Sequence, residues 1–439
     1  MNPTVARRSA PRAEHRHPGR RPKPRPVAAP EEAQRQTFSL KEADCLSYHL
    51  VWLTALLLLT AGLCTVLSVS LAEGVRGGDR FVYLRPQGIV AAVGLVLMLL
   101  LSRVDYRRLR WAPLAFLGVV TVLLMVVHIP GVAQSEGGAS SWIQLGPLTC
   151  QPSEFAKLAV VLAGAHLLSS SRVRSGGFSS YVWPFGVAGL ATCALVMWEN
   201  DFGTAIIIAG LVLGMLWLAG MKGKQWLLLT GGGAAAGVAV VFLTSGGNRI
   251  GRITALFQGA ANANGTGYQL RQSLMALGRG GWLGVGPGES VQKFAYLPEA
   301  HNDMIYAILG EEFGFLGAGL LIVLFAVFAL ACWRLARQCA DPMGKYLIAG
   351  CGMIVTLQAA INIGGVIGAI PLTGVPLPFV SDGRNSLLVM LMAVGLILAV
   401  AKRASVRTAP SPAAGYDNVT RIDRRRWDSR ARGARSGAG

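Results

Sequence analysis

The sequence has few charged residues, and this scarcity excludes an ordinary soluble domain. Asp, Glu, Lys and Arg make up only 14% of the 439 residues, whereas 52% are hydrophobic and the mean hydropathy is +0.47. Such a composition is typical of a membrane protein. The seven cysteines are scattered, without metal-ligand or disulfide-framework spacing. A Walker P-loop is also absent, so ATP-driven transport has no support within the chain.

The charge that is present is concentrated in two stretches. Residues 1–41 and 402–439 each contain ten Lys or Arg and three acids, and together they supply most of the formal net charge of +19. We predict basic disordered cytoplasmic tails over 1–48 and 402–439, in contact with anionic lipid heads rather than nucleic acid. No cleavable signal pattern precedes the first apolar run near Leu50, so that run is expected to remain as an anchor.

Apolar runs approach the length that crosses a bilayer core, about 20 residues for roughly 30 Å, all along the body of the chain. Ten spans are predicted, at 50–71, 87–102, 112–130, 153–169, 182–199, 202–219, 226–244, 303–330, 344–369 and 385–401. The predicted fold is therefore all-α, a polytopic membrane domain over 49–401 with a large loop at 245–302. Within that loop, residues 268–277 have amphipathic helical spacing and are predicted to lie along the membrane surface.

Loop charges predict the orientation of these spans. Lys and Arg follow every even-numbered span, whereas the loop 131–152 contains none. The basic face and both termini are therefore predicted to be cytoplasmic, and the loop 245–302 extracytoplasmic. The unusual polar segments all fall on the extracytoplasmic face.

One polar stretch, 292–306, lies beside the eighth predicted span and contains Glu299, His301 and Asp303, with Glu311 and Glu312 further in. Ionisable groups at membrane depth are costly and by default indicate function. Asp303 alone could be a helix cap, but so many ionisable residues together favour a site. In such a site Asp303 would act as a general base, and Lys or Arg would stabilise the charge on a leaving group.

Residues near the fourth predicted span suggest a partner for that acid. Glu154 and Lys157 have i,i+3 spacing in the first turns after Pro152. Lys157 at a helix N-terminus could bind phosphate, or it could pair with Glu154; the spacing favours neither. Trp142 is suited to stacking on a sugar or anchoring at the interface. Up to this point the residues predict only a lipid-side site with an acid, a base and cations.

Several motifs in a fixed order resemble the SEDS family (shape, elongation, division and sporulation). The blocks that carry the resemblance are Gly138-Ala139-Ser140-Ser141-Trp142, Gln151-Pro152-Ser153-Glu154-Phe155-Ala156-Lys157, Asp201-Phe202-Gly203-Thr204, Tyr268-Gln269, Leu297-Pro298-Glu299-Ala300-His301-Asn302-Asp303, Glu311-Glu312-Phe313-Gly314 and the segment 371–379. The resemblance covers about residues 50 to 400, and the segment 267–317 looks most like the FtsW branch.

The resemblance implies a ten-helix peptidoglycan glycosyltransferase that polymerises lipid II outside the cytoplasmic membrane of a bacterium. It implies a class B penicillin-binding protein transpeptidase as partner, other divisome components as further candidates, and no nucleic acid. No particular cofactor is predicted; a divalent cation is a candidate, and whether a metal assists stays open. Asp303 matches the catalytic aspartate. The candidate substrate-binding residues are Trp142, Glu154, Lys157, Gln269, Arg271, Glu299, His301, Ser381 and Arg384.

The chain departs from the family pattern at four places, one of which is Glu199-Asn200, where the family commonly has Gln-Pro. Ser141 stands where the family usually has Arg, Asn302 where it has Thr, and 381–386 differs from the usual Ser-Tyr-Gly-Gly-Ser-Ser. We hypothesise that Arg384 replaces the cation lost at Ser141. The role in septal, lateral or sporulation-specific wall synthesis stays open. The alternatives are a flippase or transporter of a lipid-linked precursor, and a weakly active scaffold for the transpeptidase.

Overall fold

The structure is a computed structural model that describes residues 30–75, 77–108, 111–129, 133–136, 139–145, 148–170, 180, 182–244, 266–294 and 296–404. The chain divides into two units, residues 1–40 and 41–439. Of the first unit only the beginning of one helix is described. Apart from residues 30–40 of that helix, the structural features discussed below belong to the second unit.

Helices dominate the described residues. Across the described ranges eleven α-helices are present: α1 Pro30–Val75, α2 Leu84–Arg103, α3 Ala112–Val126, α4 Pro152–Leu168, α5 Val187–Trp198, α6 Phe202–Leu218, α7 Gly223–Thr244, α8 Thr266–Gly280, α9 Ile305–Gln338, α10 Pro342–Val366 and α11 Arg384–Ala404. A short 3-10 turn, Tyr106–Arg108, follows α2, and a π-helical turn, Val182–Gly186, precedes α5.

The prediction of a polytopic helical membrane protein is confirmed. Ten of the helices coincide with the ten predicted spans, and α8 is the predicted amphipathic helix. Within the described part of the chain, five helices are long and apolar enough to cross a membrane: α1 over Leu46–Val75, and α2, α9, α10 and α11 over most or all of their lengths. Three shorter apolar helices, α3, α5 and α6, accompany them.

The boundary of the N-terminal tail differs from the prediction. Residues 30–48 belong to α1, although the sequence placed them in a disordered tail ending at 48. Proline is suited to the first turn of a helix, and Glu, Ala, Gln, Leu and Lys, which recur in 30–48, are strong helix formers. The predicted disorder of residues 1–29 and 405–439 falls outside the described residues.

A small antiparallel sheet is the one non-helical element in the described residues, and it was not predicted. Its strands are β1 Ala133–Glu136, β2 Ala139–Leu145 and β3 Leu148–Cys150, in the order β1-β2-β3. Along β2, Ser141 and Ile143 are buried whereas Gln144 is exposed. This alternation is the period of a strand with one covered face. The sheet leads directly into α4.

The basic loops come together at one end of the helices. Arg403 near the end of α11 donates to the carbonyl oxygen of Arg103 at 2.9 Å and pairs with Asp105 at 3.2 Å. Tyr106 donates to Asp341, between α9 and α10, at 2.8 Å. Asp303 precedes α9 and therefore lies at the opposite end of that helix.

Candidate functional site

Asp303 lies on the wall of a small cavity where three elements meet. The cavity is lined by Asp303 and Met304 before α9, by Asn362, Gly365 and Val366 in α10, and by residues 372–375. Asp303 is 8% exposed. The N-cap of α9 is Met304, so Asp303 does not occupy the cap position that the alternative interpretation gave it.

Asn362 fixes the backbone at Asp303. Its amide nitrogen donates to the carbonyl oxygen of Asp303 at 2.7 Å and to that of Val375 at 2.8 Å. The side chain therefore ties the start of α9 to the loop that follows α10. Gly374 in this loop has φ +72°, and a Cβ built there would lie 3.9 Å from Asp303 Oδ2. A glycine at this position suits a loop that approaches the carboxylate closely.

Lys157 is fully buried and paired with Glu154. Its ammonium nitrogen lies 2.7 Å from Glu154 Oε2 and donates to Gln358 Oε1 at 2.5 Å. Of the two interpretations that the spacing left open, the structure shows the ion pair. Neither side chain is available to a ligand in this conformation, because Lys157 is 0% exposed and Glu154 is buried.

Gln358 links Lys157 to the last polar loop. Its amide nitrogen donates to the carbonyl oxygen of Pro376 and to Ser386 Oγ, both at 2.8 Å. Gln358 stands four residues before Asn362, so the two lie on one face of α10, roughly 6 Å apart along its axis. Gln358, which bonds Lys157, and Asn362, which bonds the Asp303 backbone, are thus one helical turn apart. The sequence analysis missed both amides, although two amides at this spacing inside an apolar span are a recognisable signal.

His301 and its neighbours form a second polar group beside Asp303. The His301 ring stacks on Tyr83, with centroids 4.1 Å apart and planes at 14°. Burial lowers the pKa of His301, Glu299 and Glu73 raise it, and Arg384 lowers it further. Glu299 itself is exposed, with φ +53°.

Asp382 and Arg384 lie next to this group. The amide of Asp382 donates to the carbonyl oxygen of His301 at 2.9 Å. Burial raises the pKa of Asp382 to about 7, against a lowering effect of Arg384. Arg384 is exposed and is the first residue of α11. Ser386, two residues after Arg384, accepts from Gln358, the partner of Lys157. That Arg384 replaces the cation lost at Ser141 stays a prediction.

Ser381 does not present its hydroxyl to a ligand in this conformation. It is buried, and its Oγ accepts a hydrogen bond from the amide of Leu377 at 2.8 Å. Its carbonyl oxygen accepts from Gln87 at 3.0 Å. The structure therefore gives Ser381 the role of closing the turn 377–381, a local contact that its sequence position alone did not reveal.

The remaining predicted binding residues come from the sheet and from α8. Trp142 is half-buried and lies opposite Gln134 in the register of β1 and β2. The sheet joins the site because Asn385 donates to the carbonyl oxygen of Thr149 in β3 at 3.1 Å. In α8, Gln269 donates to the carbonyl oxygen of Pro298 at 3.4 Å, whereas Arg271 is exposed.

Two acids near α6 differ sharply in their surroundings. Asp201 caps α6 by accepting from the amide of Thr204 at 3.0 Å, and Ser153 donates to it at 2.9 Å. Glu199 is 1% exposed, and among the described residues neither of its carboxylate oxygens has a hydrogen-bond donor. Burial, with the nearby Asp201, raises the pKa of Glu199 to about 9.

Glu311 and Glu312 do not line the Asp303 cavity. Together with Lys293, Ser68 and Ser290 they form a separate buried group, which we call the Glu312 cluster. Lys293 donates to Glu312 at 3.0 Å, to Ser68 at 2.9 Å and to the carbonyl oxygen of Gly288 at 2.5 Å. Glu311 accepts from Ser290 at 2.5 Å. The sequence had grouped both acids with Asp303.

A metal centre finds no support in the geometry of the described residues. Within those ranges, no three His, Cys, Asp or Glu side chains converge as metal ligands would. The chemistry that the site offers is that of a carboxylate, amides and cations.

Fold and site together define a multi-pass helical membrane protein with an acid-lined cavity at one end of its helices. The chain belongs to the FtsW/RodA/SpoVE family: the family model described as "Cell cycle protein" matches residues 48–406. This match confirms the predicted membership of the SEDS family.

Curated relatives match most of the chain. Stage V sporulation protein E of Bacillus subtilis (strain 168) is 37% identical over 356 residues, which are 80% of this chain and 96% of that protein. A probable peptidoglycan glycosyltransferase FtsW of Thioalkalivibrio sp. (strain K90mix) is 39% identical over 366 residues, 82% of this chain and 89% of that one. The protein with the same description from Mycobacterium tuberculosis (strain ATCC 25618 / H37Rv) is 34% identical over 377 residues, 86% and 72% of the two chains.

Solved structures share the fold. A chain from a peptidoglycan synthase complex, studied for the coordination of polymerization and crosslinking, has a TM-score of 0.65 at 24% identity and covers 80% of this chain and 97% of that one. Rod shape determining protein RodA of Thermus thermophilus has a TM-score of 0.59 at 23% identity, with coverage of 81% and 97%.

Proposed function

We propose that the protein is a peptidoglycan glycosyltransferase that polymerises lipid II at the outer face of a bacterial cytoplasmic membrane. Relatives named as probable peptidoglycan glycosyltransferases, which match more than four-fifths of the chain, support this assignment. The structural observation that carries it is the position of Asp303 on a cavity wall, with its backbone held by Asn362. A carboxylate held in this way can take a proton from a bound hydroxyl.

In the proposed reaction, the 4-hydroxyl of the GlcNAc of one lipid II attacks the anomeric carbon of MurNAc on another chain. Asp303 takes the hydroxyl proton while the new carbon–oxygen bond forms. The bond from the anomeric carbon to the diphosphate oxygen breaks, and its electron pair leaves with undecaprenyl diphosphate. Attack opposite the leaving group inverts the anomeric configuration and gives a β-1,4 linkage.

Cations must neutralise the departing diphosphate, and the site contains two candidates in different states. Arg384 is exposed and can bind the diphosphate without rearrangement. Lys157 is engaged with Glu154 and Gln358, so it can contribute only after that ion pair opens. We propose that Arg384 binds first. Trp142, Gln269, Arg271, Glu299 and His301 remain proposed contacts to the sugars and the lipid-linked diphosphate.

The orientation follows from the basic end of the helices. The end formed by residues 103–108, 339–345 and 403 carries the Lys and Arg that favour a cytoplasmic position. Asp303 at the opposite end of α9 would then face outward. A peptidoglycan synthase complex among the structural neighbours supports a partner of the class B penicillin-binding protein type. Cell division or a related wall-building process is the proposed setting.

The decisive experiment is Asp303→Asn in purified protein assayed with labelled lipid II and a class B penicillin-binding protein. We expect glycan polymerisation to fall by at least about 100-fold, because general base catalysis contributes about 10²–10⁴. Asp79→Asn is the matched control: Asp79 is exposed, pairs with exposed Arg85 and accepts from the amide of Phe81, so full activity is expected.

Other outcomes would contradict the proposal. Undiminished polymerisation by Asp303→Asn would exclude Asp303 as the base. Lipid movement between leaflets that depends on Asp303, without polymerisation by the unaltered protein, would favour the flippase. Stimulation of the transpeptidase without any glycan product would favour the scaffold.

A further inference from the structure

In the side-chain amide of Asn362, the nitrogen has hydrogen-bond partners but the oxygen has none among the described residues. Asn362 lines the Asp303 cavity and is 4% exposed. Its nitrogen donates to two carbonyl oxygens, those of Asp303 and Val375. Among the described residues, no donor lies within hydrogen-bond distance of its buried Oδ1. A buried acceptor without a donor is costly, so one in a native site calls for an explanation.

The orientation of this amide follows from its partners. A carbonyl oxygen can only accept, and two of them lie within 2.8 Å of the same atom. That atom must therefore be the NH₂ group, which has two protons to give. Turning the amide over would place an oxygen against two oxygens. The unpartnered atom is consequently the Asn362 oxygen.

In Gln358, one helical turn from Asn362, both the oxygen and the nitrogen of the side-chain amide have hydrogen-bond partners. Its oxygen accepts from Lys157, and its nitrogen donates to the carbonyl oxygen of Pro376 and to Ser386 Oγ. Gln358 is absent from the lining of the Asp303 cavity, whereas Asn362 belongs to it. Of these two amides on one face of α10, the one at the cavity retains a free acceptor. A ligand in the cavity is the natural source of the missing donor.

We propose that Asn362 Oδ1 binds the acceptor sugar, by accepting a hydrogen bond from the hydroxyl vicinal to the attacking one. This inference rests on the proposed function. The attacking hydroxyl cannot be the donor, because its single proton passes to Asp303. The vicinal hydroxyl is the nearest other donor, and the Asn362 amide already contacts the Asp303 backbone at 2.7 Å. Asn362 would thus position Asp303 through its nitrogen and the sugar through its oxygen.

The experiment is a cycle that changes the protein and the substrate separately. The probes are lipid II and an analogue whose GlcNAc 3-hydroxyl is replaced by hydrogen, and the readout is kcat/KM for the first coupling with the donor held constant. With the unaltered protein we expect the analogue to be about tenfold poorer, as for the loss of one buried hydrogen bond. With Asn362→Ala, lipid II itself should react at least tenfold more slowly, and the analogue should bring no further loss.

The cycle separates substrate binding from a purely structural role. If Asn362 only positioned Asp303, Asn362→Ala would slow both substrates equally and the tenfold preference would persist, which would overturn the proposal. Thr356→Val is the matched control in α10: its hydroxyl bonds only within the helix, to the carbonyl oxygens of Gly352 and Met353. We expect this variant to retain the tenfold preference.

The comparison of lipid II with the deoxy analogue uses the unaltered protein, so it does not depend on the folding of any variant. Equal use of lipid II and the deoxy analogue by the unaltered protein would overturn the inference while leaving the glycosyltransferase intact. Absence of polymerisation of lipid II itself, by the unaltered protein and by Thr356→Val, would overturn the proposed function and the inference together.

Discussion

Two buried polar groups of this protein contain the same kinds of residue but differ in what they leave unsatisfied. Both the Glu312 cluster and the group around Asp303 include a buried lysine paired with a glutamate. In the Glu312 cluster Lys293 has three acceptors. Around Asp303, by contrast, a cavity adjoins an amide oxygen that lacks a donor among the described residues. Similar charge and burial therefore accompany a structural role in one place and a proposed catalytic role in the other.

The position of the Glu312 cluster explains its structural role. α9 breaks at Gly314, where φ is +66° and ψ −166°. The amides of Val285 and Gly286 donate to the carbonyl oxygens of Glu311 and Glu312, which the break leaves without helical partners. In return, the amide of Phe315 donates to the carbonyl oxygen of Gly281. The cluster thus fastens the segment after α8 to the interrupted helix.

The largest expected effect comes from removing one partner of the structural ion pair. Lys293→Met leaves Glu312 buried without its cation, and breaking such a pair costs about 3–5 kcal/mol. We expect a much lower thermal unfolding midpoint but nearly normal polymerisation per folded molecule. The double variant Lys293→Met/Glu312→Leu should recover most of the stability. An unchanged unfolding midpoint in Lys293→Met would contradict the structural role of the Lys293–Glu312 ion pair.

Removing both charges of the Glu154–Lys157 pair should distinguish the proposed catalytic group from the structural Glu312 cluster. Glu154→Leu/Lys157→Met removes the charged pair on the Asp303 side, and we expect its stability to recover as in the Glu312 cluster. Polymerisation should nevertheless stay at least about tenfold reduced, because a cation for the diphosphate is missing. Measurement of both the unfolding midpoint and the initial rate checks this. Full activity in this double variant would remove Lys157 from the proposed mechanism.

A smaller effect is expected at the break of α9. Gly314→Ala places a side chain in a positive-φ conformation, and the new Cβ would lie 2.3 Å from the Gly284 amide nitrogen. The cost should be at least about 1–3 kcal/mol, observed as a lower unfolding midpoint. Gly319→Ala in the same helix is the control, since its Cβ meets nothing within 4 Å and alanine favours helices. Equal midpoints for the two variants would show that the break is not needed.

The sequence predicted the helices better than the roles of the polar side chains. Each apolar run coincides with a helix, and five of these helices are long and apolar enough to cross a membrane within the described residues, as expected where the thickness of a bilayer sets their length. The acid at the start of α9 was found because ionisable residues beside a span are conspicuous. Contacts between distant segments could not be inferred: Lys157 bonds Gln358 across 201 positions, and Ser68 bonds Glu312 across 244. Neutral amides in a span give a weaker signal, so Gln358 and Asn362 were missed.

A further buried acid, Glu199, sharpens the comparison because it lacks any hydrogen-bond donor among the described residues. Burial raises its pKa from 4.5 to about 9. Below pH 4.5 the carboxyl is protonated in both states, so it costs no stability. Between about pH 4.5 and 9 the unfolded state loses its proton first, and the folded state is progressively destabilised. Glu199→Gln should therefore unfold at a temperature several degrees higher at pH 8 and similar at pH 4.5. If the unfolding temperatures of Glu199→Gln and the unaltered protein differed equally at both pH values, burial of the Glu199 carboxylate would not be the cause.

The smallest expected effect tests the electrostatics beside Asp303. Arg384 lowers the pKa of Asp382, which burial raises to about 7. In Arg384→Gln this pKa should rise above 7, so the destabilisation due to Asp382 should continue to a higher pH. The difference in unfolding midpoint between Arg384→Gln and Arg384→Gln/Asp382→Asn, measured from pH 5.5 to 9, isolates that carboxyl. We expect a shift of a degree or two, since exposed Arg384 is screened by solvent. If Asp382→Asn changed the midpoint equally in the presence and absence of Arg384, the charge of Arg384 would not reach Asp382 and this electrostatic coupling would be refuted.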